Sequence, residues 1–289
     1  MNEINDILVV LDARLPQSLA IQHAKLIADI TQSHLHLLIC SDKKEAGDYL
    51  KRCRDELFTE GYIVSSQQMS LGKPHKDVIA VQQARNCQIV IKQHVPESVL
   101  RRALITPDDW QLLRSCPVPV LMIKTDKPWQ GGAVLAAVDV GNSDGEHRAL
   151  NTGIISASQD IAALALCNLH VVCAHPSPML SSADPVFQLK ETIQQRYRDR
   201  LAEIQEEFLL DDDRIHLMQG PAEAIIPYVA NKLKVGLTVI GSVGRTGLSA
   251  SLLGNTAEKI LDVLECDVLV IKPGDVMREM AEKVRHLLG

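Results

Sequence analysis

Short apolar runs recur along the chain in one order, twice. ILVVLD, ending at Asp12, answers VLAAVD, ending at Asp139; LHLLIC, ending at Cys40, answers LHVVCA, ending at Ala174. CQIVIK, ending at Lys92, answers GLTVIG, ending at Gly241, and VLMIK, ending at Lys124, answers VLVIK, ending at Lys272. Runs this short that are apolar on successive positions suit parallel strands covered on both faces. Between them the apolar period lengthens to that of a helix. Leu19, Ala20, Ala24, Ile27 and Ala28 form one stripe, and Leu150, Ile154 and Ile155 form another within residues 146–163. A weaker strand comes third in each half, YIVSSQ after Gly61 and RIHLMQ before Gly220. Helices are expected to begin after Pro74 and Pro221, because proline is tolerated in a first helical turn. Each half therefore reads βαβαβαβαβ, and the expected fold class is α/β, with two tandem doubly wound five-stranded parallel sheets.

The segment TDKPWQGG, residues 125–132, mixes proline, paired glycines and charge between two strands, and places a boundary near residue 126. The expected domains are 1–126 and 127–289. Asp12 and Asp139 lie 127 positions apart and Lys124 and Lys272 lie 148 apart, so the second half carries about twenty extra residues. These fall between its second and third strands and include HPSPMLSSADPV, residues 175–186, and a long helix through QLKETIQQRYRDRLAEIQEEF. The stretch SPMLSSADPVF is long for a βα connection, and it would lengthen a crevice to suit a larger or more apolar ligand. In the tail, Val276, Met280, Val284 and Leu287 have helical spacing, as in a docking helix.

Composition narrows the partners. With 289 residues, 46% hydrophobic and 23% charged, the chain falls in the soluble globular class. A formal charge of −6 argues against broad neutralisation of nucleic-acid phosphates, and 3% aromatic residues leave few platforms for stacking bases. No nucleic-acid partner is expected, whereas one small polyanion is compatible. No apolar run approaches the ~20 residues of a membrane helix, and MNEINDILVVLD has acidic residues where a signal peptide has positive charge. The expectation is a cytoplasmic protein without membrane contact. Seven cysteines without a CxxC pair indicate neither a disulfide framework nor a zinc site; Cys40, Cys87, Cys173 and Cys266 read as buried thiols.

Candidate chemistry concentrates in VIGSVGRTGLSASLLGNTAEKI, residues 239–260. Its glycines suggest a loop lined by main chain, although glycine-bearing strand-to-helix loops are also common without any ligand. In an open parallel sheet, ligands sit beyond the carboxyl ends of strands where the winding reverses. If the first and fourth strands of the second half meet there, Asp139 and residues 241–254 face one crevice. A carboxylate at one end and exposed amides at the other suit a nucleotide.

Other signals are weaker. There is no GxxxxGK[ST] and no GxSxG, and the residues around Asp211, Asp212 and Asp213 lack the spacing of a calcium-binding EF-hand loop. No catalytic residue is assigned. His34 and His36 can share one strand face, but a metal would need further ligands that spacing does not locate; His170 repeats His36. His175 falls at the mouth of the predicted crevice and is a candidate ligand contact. Arg245 either pairs with a phosphate or is a solvated loop arginine.

The spacing Gly241, two residues, Gly244, nine residues, Gly254 resembles the G-x2-G-x9-G-(S/T) signature of the universal stress protein family. The repeat, the aspartate after strand one, RTGLSASLLGNTAE, CDVLVIKP and TPDDWQLLRSCP are similar to its tandem branch. The resemblance implies two flavodoxin-like units packed as a pseudo-dimer, with the VLMIK and VLVIK edges together. It implies a non-catalytic stress-response protein binding ATP, with magnesium, or a related small ligand. A nucleotide-free binder of an apolar or sugar-bearing metabolite and a slow ATP hydrolase stand as alternatives. Protein partners or a homodimer are implied in the same way.

By position, Asp139, preceded by Val138, would contact the adenosine part. Ile240, Gly241, Ser242 and Gly244 would lie along the phosphates beside Arg245, with Gly254 and its successors Asn255 and Thr256 capping them. Asn255 replaces the signature hydroxyl residue, and Thr256 is the substitute at hand. In the first half, aligning IVIK with TVIG puts Lys92 opposite Gly241, Val95 opposite Gly244, Ile105 opposite Gly254 and Thr106 opposite Asn255. Side chains are expected to plug that site and leave the first half as a packing partner.

Overall fold

The computed structural model describes residues 4–15, 17–70, 72–94, 107–142, 144–178, 190–242 and 255–274. Strand and helix alternate from the first residues onward: β1 (Asp6–Leu11), α1 (Leu19–Thr31), β2 (His34–Cys40), α2 (Lys44–Thr59), β3 (Val64–Met69), α3 (Pro74–Ala84), β4 (Ile89–Gln93), α4 (Pro107–Ser115) and β5 (Val120–Ile123). The second half repeats the series as β6 (Ala133–Ala137), α5 (Gly145–Leu164), β7 (Asn168–His175), α6 (Lys190–Phe208), β8 (Ile215–Gln219), α7 (Ala222–Leu233), β9 (Leu237–Gly241), α8 (Asn255–Val263) and β10 (Asp267–Ile271). The acidic run at 211–213 enters a short 3-10 turn, Asp212–Arg214, before β8. The tail helix expected around Val276 to Leu287 lies outside the described residues, as does most of SPMLSSADPVF.

All ten strands join one sheet, in the order β3-β2-β1-β4-β5-β10-β9-β6-β7-β8. Every pairing is parallel except β5 with β10, where Val120, Leu121 and Met122 oppose Val270, Leu269 and Val268. The expected contact between the VLMIK and VLVIK edges is therefore a hydrogen-bonded ladder, and an approximate twofold axis pierces the sheet between Leu121 and Leu269. The strands of the two halves consequently point in opposite directions, and their carboxyl ends lie at opposite margins of the sheet.

Helices cover both faces. Residues of α1, α2, α5 and α6, among them Ile27, Leu50, Ile154 and Leu201, bury one face over Ile7, Val9, Val134 and Val239. The other face carries α3, α4, α7 and α8, packed through Val78, Leu112, Ile226 and Ile260 on Leu8, Val90, Leu135 and Val268. Burial on both sides explains why the strands read as unbroken apolar runs. The connector is held by Trp129, 1% exposed, whose Nε1 donates to Asp267 Oδ2 at 2.8 Å. Asp267 also accepts from the Lys124 and Thr125 amides at 2.8 and 3.0 Å, with His23 Nε2 3.4 Å away. Burial raises the Asp267 carboxyl, while His23 and these donors act against the rise.

Candidate functional site

In each half the first strand lies between the second and the fourth, so chain winding reverses there. In the second half β6 pairs with β7 on one side and β9 on the other, with Ala137 opposite Ile240. Asp139 follows the end of β6, Gly241 ends β9, and the two strands are neighbours at this margin of the sheet. Val138 and Ile240 are buried in opposite core layers, so what they offer a ligand is main chain.

Asp139 is fixed by its own turn. Its Oδ1 accepts from the Gly141 amide at 2.8 Å, as Asp side chains do when they bridge two residues forward. Its main chain is clamped by Asn151 of α5, whose Oδ1 accepts from Asp139 N at 3.1 Å and whose Nδ2 donates to Asp139 O at 2.8 Å. Gly141 has no room for a side chain, because a Cβ there would stand 2.2 Å from Tyr197 Oη. Arg200, one turn along α6, donates through Nη1 to the carbonyls of Val140 and Gly141, the second at 2.9 Å. Burial, with the nearby Asp139 charge, pushes the Tyr197 phenol up to about 12, so it stays a neutral hydroxyl. His175 is buried at the end of β7, its Nδ1 3.1 Å from Pro176 O and its ring 5.8 Å from that of Tyr197.

On the neighbouring strand, Gly241 meets α5. A Cβ there would come within 2.7 Å of Leu150 Cδ2 and 3.0 Å of Ile154 Cδ1, so close helix packing already requires glycine. Ser242 is 2% exposed, its amide donates to Ile271 O at 2.8 Å, and its hydroxyl oxygen has no hydrogen-bond partner among the described residues. Asn255 and Thr256 open α8. Gly244, Arg245 and Gly254 lie outside the described residues.

The first half repeats the frame with different chemistry, and the strand register corrects the alignment made from sequence. Val120 opposes Val90 and Ile123 opposes Gln93, whereas Val268 opposes Thr238 and Ile271 opposes Gly241. Gln93, not Lys92, therefore occupies the place of Gly241, and His94 that of Ser242. A slip of one residue moves every side chain to the other face. Gln93 turns toward α1 and accepts from Leu19 N at 2.9 Å, while Lys92 faces α4 and pairs with Asp109. Asp109, 1% exposed, also takes a 3.0 Å contact from His94 Nδ1. Burial opposes its ionisation, but the His94 hydrogen bond and the Lys92 charge outweigh that and hold the carboxyl below its ordinary range.

Asp12 makes the same turn as Asp139, accepting from Arg14 N at 2.9 Å, but the residue two on is arginine. The Arg14 guanidinium bridges both Asp12 oxygens. A crevice of about 730 Å³ stands at the ends of β1 and β4, lined by Asp12, Arg14, Lys43, His75, Lys92 and Asp109 among others, while Val95, Ile105 and Thr106, expected to plug the phosphate side, lie outside the described residues. Within it Arg14 pairs with Asp12, Lys92 with Asp109 and His75 with Asp108.

Sequence reasoning singled out Asp139 and the end of β9 and did not name Gly141, Asn151, Tyr197 and Arg200, which surround the Asp139 turn. Gly141 was within reach, since an aspartate followed two residues later by glycine signals a turn. Tyr197 and Arg200 sit on α6, where the halves differ in length and offer no internal alignment.

The profile of the Universal stress protein family matches residues 132–272. A universal stress protein E homolog of Haemophilus influenzae is 31% identical over 266 residues, covering 88% of this chain and 84% of that protein. Universal stress protein E of Photorhabdus laumondii is 34% identical over 209 residues, 70% of this chain. The match spans 66% of the Photorhabdus protein, just under two thirds of its length. A solved structure of a functionally unknown protein from Pseudomonas aeruginosa PAO1 is similar with a TM-score of 0.90 at 49% identity, covering 99% of this chain and 98% of that one.

Proposed function

Because the chain belongs to the universal stress protein family, we propose that it is a non-catalytic stress-response protein whose second half takes an adenine nucleotide, ATP with magnesium, or a related small ligand. The observation that carries this reading is the meeting of Asp139 and the end of β9 on adjacent strands at the winding reversal. Three features support it. The Asp139 turn is braced by Asn151 and Arg200, which suits a carboxylate held ready for a ribose hydroxyl or a base amine. The Ser242 hydroxyl is a buried group that a ligand can satisfy, where leaving it unmet costs about 1–3 kcal/mol. The start of α8 adds a helix amino terminus, whose dipole favours an anion.

In this reading the protein acts in the cytoplasm, and ligand state biases its association with other proteins or a second copy of itself. No helix among the described residues is long and apolar enough to cross a membrane. The test is to denature the purified protein, identify released small molecules by mass spectrometry, and titrate ATP and magnesium by calorimetry against wild type and Asp139→Ala. Release of an adenine nucleotide, with affinity lost at least tenfold in Asp139→Ala, is expected. A lipid-like compound with no nucleotide overturns the ligand assignment. ATP turnover abolished by Asp139→Ala overturns the non-catalytic one.

A further inference from the structure

Strand pairing in the first half assembles three metal-ligand side chains at the amino-terminal margin of the sheet, away from the crevice. Asp6 begins β1, and His34 and His36 lie two residues apart on β2, so both histidines project from one face. The parallel register sets Asp6 beside His34 and Leu8 beside His36. Asp6 Oδ1 then lies 2.8 Å from His36 Nε2 and 3.8 Å from His34 Nδ1, and the two imidazole centroids are 4.0 Å apart. One ligand atom from each residue falls within 4.8 Å of the others.

The geometry points to a site for a borderline divalent cation, Zn²⁺ or a neighbouring transition ion, held by Asp6, His34 and His36. The 3.8 Å separation is too long for a hydrogen bond. It is close to the spacing of two ligands on a tetrahedral ion with bonds of about 2.0–2.2 Å. Two imidazoles and one carboxylate are the donor set that zinc, nickel and copper share, and it leaves a position for water. His34 Nε2 is buried without a hydrogen-bond partner among the described residues, so that nitrogen carries no structural bond that would hold the ring otherwise. His36 Nδ1 lies 2.6 Å from Ser65 Oγ on β3, a contact that orients the ring and presents Nε2 to the ion, as outer partners of metal-bound histidine do. Arg85 lies near enough for its charge to act on His34, and it opposes the cation.

The second half provides an internal contrast. His170 takes the place of His36, but Asn168 and Ala133 stand where His34 and Asp6 do. There His170 Nδ1 meets His216 Nε2 at 3.0 Å and the Arg214 guanidinium approaches its other nitrogen at 3.2 Å. A guanidinium replaces the carboxylate, so the corresponding strand ends of the second half repel a cation.

The experiment is calorimetric titration of the chelator-treated full chain with Zn²⁺, with Co²⁺ absorption as an independent readout of histidine and carboxylate ligation. Wild type is expected to bind one ion per chain. His34→Ala and Asp6→Asn, both at partly exposed positions, are expected to weaken binding at least tenfold, Ser65→Ala about tenfold, and His170→Ala not at all. Circular dichroism checks that each variant is folded, and His34→Gln replaces any that is not. Absence of a saturable site overturns the proposal, as does affinity unchanged in the His34 and Asp6 variants or a thiolate charge-transfer band in the Co²⁺ spectrum. The assignment is independent of the nucleotide reading.

Discussion

Lys124 and Lys272, equivalent residues of the two repeats, each cap a helix of the other half. Lys124 Nζ donates to the carbonyls of Leu261, at 2.9 Å, and Leu264, where α8 ends. Lys272 Nζ donates to that of Cys116, at 2.7 Å, just past α4. Carbonyls left unpaired at a helix carboxyl terminus favour a cation. Both lysines are deeply placed, and burial lowers both ammonium groups.

The Lys272 ammonium is brought down to about 8 from an ordinary 10.5 by burial. Below pH 8 the folded protein holds a buried charge at a cost; between 8 and 10.5 the folded lysine has lost its proton while the unfolded one keeps it. The unfolded state then binds more protons, so this residue's contribution raises stability with rising pH across that window. Urea unfolding across the window is expected to show wild-type stability rising relative to that of Lys272→Met. The difference is bounded at about 3 kcal/mol. Parallel curves for the two proteins would mean that Lys272 titrates normally.

Gly241→Ala is expected to destabilise the ligand-free protein by about 1–3 kcal/mol, because the new methyl overpacks Leu150 and Ile154. A glycine present only for ligand approach would leave ligand-free stability unchanged. Urea midpoints of the two proteins without nucleotide separate these cases.

Gly141→Ala presses its methyl into Tyr197 Oη, so its cost is expected to fall in a Tyr197→Phe background, where that oxygen is gone. A double-mutant cycle on unfolding free energy is expected to give a coupling of about 1 kcal/mol or more. Additive effects would place the strain elsewhere.

Trp129→Ala removes a fully buried indole from the junction and is expected to cost about 3–5 kcal/mol. Trp129→Phe keeps most of the packing but withdraws the donor from Asp267, and is expected to cost about 1–3 kcal/mol. Thermal unfolding monitored by circular dichroism ranks the two; equal losses would mean that the hydrogen bond contributes nothing beyond packing.

The repeated strands and helices were legible because a strand covered on both faces must be apolar at every position, and Ile7 to Leu11 and Val134 to Ala137 obey that rule twice. The same uniformity hid the register of β4. When neighbouring positions are all apolar, aligning Lys92 with Gly241 costs nothing on paper, and only the ladder with β5 reveals that Gln93 belongs there. The turn at Asp139 was legible because it is local. Tyr197 reaches it from a helix almost sixty residues on, and Asp6 reaches His36 through strand pairing, a relation that spacing along the chain does not encode.

The antiparallel seam has a consequence for biosynthesis. Val120 pairs with Val270, so β5 emerges from the ribosome long before the strand that will cover it. Until the last strand arrives, the first repeat presents a bare ladder of VLMI flanked by apolar residues, the kind of margin that recruits stray chains. Once closed, the outer strands of the described sheet are β3 and β8, VSSQQM and IHLMQ, which are far more polar. The vulnerable interval is thus confined to synthesis, and holdase chaperones are expected to engage nascent chains cut short before residue 267.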